Sequence, residues 1–174
     1  MNKQHGFSLI ELLIVVAIIL IVVAIAIPNL LRARIAANES SAVASLRTIE
    51  TAETTYASTW GAGYAGILDN LGGSPLCVAA TAAAACMIDS ALSKAPYTKS
   101  GFVFVAVGNT AIAGVNSGFE VNATPVAVDV SGKRSFCNDQ KGVIKFTVNA
   151  AAGPGVPIGT AAGSCAVAIQ IVGN

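Results

Sequence analysis

The sequence predicts an α+β protein: a long N-terminal helix, its apolar half protruding and its amphipathic half packed on a C-terminal antiparallel β-sheet of about four strands. Three observations predict it. Between Leu12 and Ile27 no side chain is charged or polar. From Asn29 to Trp60 apolar residues recur at spacings of three, four or seven, the mark of an amphipathic helix. From Phe102 onward, short β-branched and aromatic runs alternate with polar residues between glycine-containing turns, which reads as half-buried strands. With 174 residues, 54% hydrophobic and 11% charged, the chain has length for one modest domain plus an appendage. The apolar excess sits at one end.

Residues 1–6, Met-Asn-Lys-Gln-His-Gly, are short, polar and weakly basic, and they end on Gly6. Residues 7–28 follow as an apolar segment. At ~1.5 Å per residue the run from Phe7 to Ile27 rises roughly 32 Å, about the thickness of a bilayer hydrocarbon core. Ala24-Ile25-Ala26 imitates a signal-peptidase site, but a signal peptide carries an apolar region of about 7–15 residues without an acid in it. This run is longer and contains Glu11. An ordinary membrane anchor leaves Glu11 unexplained too, since an acid in hydrocarbon costs a few kcal/mol even on lenient scales. Pro28 ends the all-round apolar section, and a kink or local melting of the helix is expected there because proline removes a donor and clashes with the preceding turn.

Residues 29–60 form the amphipathic segment. Val43, Leu46, Ile49, Tyr56 and Trp60, with Ala42 and Ala52 beside them, make its apolar stripe, while Glu39, Arg47, Glu50 and Glu53 largely fill the other positions. The helix is expected to stop near Gly61, where GAGYAGILDNLGG is dense in glycine and loses periodicity. Gly61 to Gly66 also fits G-x-G-x-x-G, but that dinucleotide pattern needs a strand before it, and here a long helix precedes it. Residues 61–174 are the head. A short helix is expected over Met87 to Lys94. Strands are expected at Phe102 to Val107, around Val126, Val128 and Val130 before the turn Ser131-Gly132-Lys133, around Ile144, Phe146 and Val148, and from Cys165 to Val172. The Gly/Pro/Ala-rich stretch Ala150 to Gly163 leads into the last as a surface loop.

The stretch GFSLIELLIVVAII, with the later Pro28, resembles the class III leader and N-terminal helix of type IV pilins and type II secretion pseudopilins, over about Gly6 to Ala57. The later ATPVAVDVSGKRSFCNDQKGVIKF resembles the sheet region of some pilin-like proteins less specifically. The resemblance implies a leader of residues 1–6, cut after Gly6 by prepilin peptidase, with N-methylation of the new terminus at Phe7. Glu11 then becomes the acid four residues beyond that terminus. Cleavage leaves an ammonium on Phe7, and in a staggered stack of parallel helices Glu11 of one subunit can meet that of its neighbour. A buried unpaired carboxylate is penalised and a paired one tolerated, so the acid favours one axial register.

The function so implied is that of a structural subunit polymerising into a type IV pilus; the alternative is a pseudopilin of a type II secretion system, forming a periplasmic pseudopilus. The implied partners are other copies of the chain, the prepilin peptidase/methyltransferase, an inner-membrane assembly platform, and the membrane itself. The implied location is the inner membrane as a single-pass protein before assembly, then an extracellular filament. A membrane-anchored or signal-cleaved ligand-binding protein is the reading from another class, and cleavage after Ala26 would mark its signal-peptide form.

The four cysteines, Cys77, Cys86, Cys137 and Cys165, contain no C-x-x-C, and the chain's one histidine lies in the expected leader. In an oxidising compartment this favours disulfides over a metal site. Three pairings exist. Cys77–Cys86 with Cys137–Cys165 is favoured, the first closing a loop of Ala and Thr, the second resembling the loop-stapling disulfide near pilin C-termini. No cofactor is expected, and no catalysis: no G-x-S-x-G elbow or P-loop is present and the lysines are scattered. The resemblance to major pseudopilins would allow calcium at Asp129, Asp139 and Glu120, but their spacing forms no D-x-D-x-D-G loop, so they read as solvated turn residues. Asn38 and Asn122 stand in N-x-S/T patterns. With a net charge of +1 and no basic cluster beyond Arg32 and Arg34, nothing points to nucleic acid.

Overall fold

The computed structural model describes residues 7–73, 77, 79–150, 152–159, 164–165 and 170–172. Contacts divide the chain into two units, Met1–Arg34 and Ile35–Asn174. One helix, α1 (Leu9–Trp60), runs from the first into the second. In the first unit its side chains meet no core: Leu9, Ile14, Leu20 and Ile27 are all more than half exposed. A helix apolar on every side is suited to lipid or to other helices, and this one is long and apolar enough to cross a membrane. Its helical assignment continues unbroken through Pro28, so the helix does not melt there. Pro28 offers no N–H to the turn before it, and Asn29 Nδ2 donates to the neighbouring Ile25 carbonyl at 3.2 Å.

In the second unit α1 buries Glu39, Ala42, Leu46, Ile49, Glu53 and Tyr56, a strict alternation of three and four that draws one stripe along a helix. The sequence reads Glu39 and Glu53 as filling positions outside the apolar stripe, and they lie in it instead. The stripe packs with the sheet phenylalanines in the core. Each such large apolar side chain removed from water contributes about 1.5–3 kcal/mol.

Two single-turn helices follow, α2 (Leu68–Leu71) and α3 (Ser90–Ser93). The helix expected over Met87 to Lys94 shrinks to α3 because the backbone before it is committed elsewhere: Cys86 N–H donates to Gly72 O at 2.7 Å and Met87 N–H to Leu71 O at 2.8 Å. Asp89 then caps α3, its Oδ1 accepting from the N–H groups of Ala91 and Leu92 at 3.0 and 3.1 Å.

The sheet is antiparallel and ordered as in the chain: β1 (Thr98–Lys99), β2 (Phe102–Ile112), β3 (Val115–Pro125), β4 (Arg134–Asp139), β5 (Lys145–Val148) and β6 (Gln170–Ile171). Four strands carry it and two-residue strands edge it. β2 runs five residues beyond Val107, turning into β3 through Ala113 and Gly114, whose φ values are +53° and +83°. Such a two-residue turn needs left-handed backbone at both positions, and Ala-Gly is a weaker sequence signal for it than Asn-Gly. The strand expected at Val126 to Val130 is absent. That segment is a tight turn, with Ser131 N–H bonded to Ala127 O at 2.9 Å and Asp129 at φ +62°. Of the strand expected from Cys165 to Val172, the described residues retain only β6, and residues 166–169 lie outside the description.

Phe102, Phe104, Phe119, Val121 and Phe136 are fully buried in the core shared with α1. Alternation sends Glu120, Asn122 and Cys137 to the opposite face. They are buried too, because the C-terminal segment covers them: Cys165 N–H donates to Glu120 Oε2 at 3.1 Å and Asn122 Nδ2 to Gly159 O at 3.4 Å.

Candidate functional site

The N-terminus of α1 is built by local chemistry. Ser8 precedes the first helical residue, its carbonyl accepts from Leu12 N–H at 3.2 Å, and its own N–H donates to Glu11 Oε2 at 3.3 Å. Glu11 therefore reaches back to the start of its helix as the acid of an S-x-x-E capping box does. That signature, Ser8-Leu9-Ile10-Glu11, is legible in the sequence and gives Glu11 a role within its own chain. An acid in the first turn is also favoured by the positive end of the helix dipole. Phe7 is 82% exposed, and Glu11 is exposed beside it. Gly6 lies outside the described residues. The arrangement offers an exposed carboxylate one turn from an exposed Phe7, on a helix otherwise apolar as far as Ile27.

A second set of acids fastens α1 to the head. Glu39 Oε1 accepts from the backbone N–H groups of Lys133 and Arg134 at 2.8 and 3.0 Å, and Oε2 from Arg134 Nε at 2.9 Å, with Arg134 Nη2 at 2.7 Å. Arg134 lies over the rings of Phe136 and Phe146, 5.3 and 4.9 Å from their centroids. Asn38 Nδ2 donates to Ser131 O at 2.9 Å, and Asn138 Nδ2 to Glu50 Oε2 at 2.7 Å. Glu53, wholly buried, accepts from Ala65 N–H at 2.7 Å through Oε2. Burial pushes its carboxyl up to about 7, against the opposing pull of the Ala65 and Gly66 N–H groups. Sequence reasoning missed these roles. The available signal was an acid at each of two positions in the three-four stripe.

The other expected residues fall as follows. Cys77 pairs with Cys86 and Cys137 with Cys165, each with Cα atoms 5.8 Å apart. Glu120 and Asp139 stand directly opposite one another on β3 and β4, whereas Asp129 is in the Ala127–Ser131 turn. Both strand acids are buried, not solvated turn residues: Glu120 receives Ser164 Oγ and Cys165 N–H, and Asp139 receives Lys141 N–H. Among the described residues no three or more His, Cys, Asp or Glu side chains are placed to hold a metal ion. The sequon residues Asn38 and Asn122 both turn their amides inward, to Ser131 O and Gly159 O. The Gly61 to Gly66 loop lies along the β2–β3 hairpin: Tyr64 N–H donates to Asn116 O and Gly108 N–H to Gly66 O. Gly63 and Gly66 have φ of +77° and +74°, and a Cβ on either would collide with Asn116, so the glycines serve close approach of two backbones.

A long N-terminal helix, apolar to Ile27 with a lone early acid, whose second half packs on an antiparallel sheet, makes a pilin-like α+β architecture. Residues 1–27 match the family model described as the prokaryotic N-terminal methylation motif. The chain is also similar to the type IV wide pilus major component PilA4 of Thermus thermophilus, 56% identical over 46 residues, 26% of this chain. The match spans 35% of that relative's length. No solved structure matches the chain.

Proposed function

We propose that this chain is a pilin: a precursor cut after Gly6 and N-methylated on Phe7, whose apolar helix anchors it in the inner membrane and then packs into the core of a type IV pilus. The observation that carries the reading is Glu11, a lone exposed acid in the first turn of a helix apolar to Ile27, with a Ser8 N–H at 3.3 Å as its bond. In hydrocarbon such a carboxylate is costly. The ammonium that cleavage places on a neighbour's Phe7 neutralises it, and the pair sets the axial register. The methylation motif over residues 1–27 and the likeness to a pilus major component support the same reading. The processing enzyme and an inner-membrane assembly platform are its partners, and the assembled filament lies outside the cell.

Mass spectrometry of the protein's N-terminus, taken separately from sheared extracellular material and from membranes, tests this. Methylated Phe7 in the sheared fraction is the expected result. Methylated Phe7 confined to membranes would replace the pilus with a secretion pseudopilus, and a start at Ile27 would overturn the filament reading altogether.

A further inference from the structure

Glu53 lies outside the N-terminal segment read for processing and register, and among the described residues it is the one ionisable side chain with a buried oxygen lacking a hydrogen bond. Its side chain is fully buried; Oε2 accepts the Ala65 N–H at 2.7 Å, and Oε1 has no hydrogen-bond partner. No Lys or Arg among the described residues forms an ion pair with it. The titratable groups nearest along its own element are Tyr56, on which its charge acts, and Glu50, already engaged by Asn138. The loop packed against it contributes Tyr64, and the following α2 contributes Asp69, which takes the Tyr97 phenol. None of these supplies a positive charge.

The segment 61–66 that Glu53 holds is built around three glycines. Gly61, Gly63 and Gly66 all have positive φ, +61°, +77° and +74°. Besides Glu53 it is tied to α1 by Gly61 N–H to Ala57 O at 3.1 Å, to α2 by Asn70 Nδ2 to Ala65 O at 3.5 Å, and to the β2–β3 hairpin by Tyr64 N–H to Asn116 O at 3.0 Å, Asn116 Nδ2 to Tyr64 O at 3.1 Å, Gly108 N–H to Gly66 O at 3.1 Å and the Tyr64 ring on Phe119, centroids 5.0 Å apart. Glu53 itself is carried on α1. Segment 61–66 belongs to no helix or strand, so it is the wall with the least structure of its own to lose.

We propose that Glu53 is a proton-operated latch: its uncharged carboxyl keeps segment 61–66 closed on α1 and the β2–β3 hairpin, and ionisation releases the segment so that water reaches the second oxygen. A neutral carboxyl still accepts the Ala65 N–H through its carbonyl oxygen. A carboxylate puts a full charge on a buried group whose Oε1 has no hydrogen bond, a cost that the Ala65 and Gly66 N–H groups offset only in part. Burial lifts the closed-state pKa from 4.5 to about 7. The folded value is the raised one, so the latch is at full strength below about 4.5 and is lost as pH rises through about 7.

The fluorescence of Trp60, the chain's one tryptophan, reads the latch. Trp60 ends α1 beside segment 61–66, its ring centroid 5.0 Å from that of Tyr56. The full chain, solubilised in detergent, is titrated between pH 5 and pH 9. The expected result is one transition within about a pH unit of the shifted value, and none in Glu53→Gln. The one histidine, His5, is in the leader segment, and the Gln variant separates Glu53 from it and from the terminal amine. A flat wild-type curve, or the same transition in Glu53→Gln, overturns the proposal. If Glu53→Gln does not fold, NMR of wild-type protein carrying carboxyl-labelled glutamate decides. One glutamate titrating near neutral, with the Ala65 amide losing exchange protection over the same range, supports the latch. Titration of every glutamate in the ordinary carboxylate range, or an Ala65 amide equally protected throughout, overturns it.

Discussion

Replacing Glu39 with alanine tests whether the helix is held to the head by an ion pair or by backbone hydrogen bonds. Glu39 is buried, 6% exposed, whereas the Arg134 side chain facing it is 37% exposed. Half-solvated pairs of this kind contribute about 0.2–1 kcal/mol. The two N–H groups that Glu39 Oε1 receives, from Lys133 and Arg134 at 2.8 and 3.0 Å in part-buried bonds, are another matter, since a donor shut from water without an acceptor costs about 1–3 kcal/mol. With water able to enter along Arg134, the lower end of that range applies to each. Glu39→Ala is therefore expected to destabilise the head by about 2–3 kcal/mol in all, or roughly 4–12 °C in melting temperature for a chain of this size. Glu39→Gln keeps an oxygen for the two N–H groups and is expected to cost about half as much. The assay is thermal unfolding of the detergent-solubilised chain followed by near-ultraviolet circular dichroism, with a double-mutant cycle against Arg134→Ala. A coupling energy below about 1 kcal/mol, beside the larger loss in Glu39→Ala, is the expected result. A coupling that accounts for the whole loss, or a Glu39→Ala protein within about 0.5 kcal/mol of wild type, would refute the backbone argument.

Two further expectations concern the N-terminus. Glu11→Ala should still be cleaved but should impair filament assembly, because the acid that selects the register is gone; a normal yield of sheared filaments from the mutant would sink the pairing with Phe7. Gly6→Leu should block processing by crowding the backbone at the cut, and a mutant chain still shortened by six residues in mass spectrometry would show that the glycine is not needed.

The N-terminal half of this protein is legible residue by residue, because what specifies it is local. An apolar run from Leu12, a three-four stripe from Ala42 to Tyr56 and a glycine at position 61 mark a helix ending at Trp60 wherever the rest of the chain goes. The stripe also announces that a sheet must cover it. What that stripe does with its acids is not local: Glu39 and Glu53 read as solvent-facing until the N–H groups of Lys133, Arg134 and Ala65, far along the chain, come to meet them. The same holds for the strands. Val126, Val128 and Val130 alternate as a strand should, but Ser131 closes a turn on Ala127, and the pairing falls to Val115–Pro125, whose partner is set by register with β2. Likewise four cysteines permit three pairings until the C-terminal segment lies over β4 and brings Cys165 to Cys137. Periodicity and capping are properties of neighbours along the chain, so sequence carries them. Burial of a charge, choice of strand partner and disulfide connectivity depend on groups distant in sequence, and only the folded chain determines them.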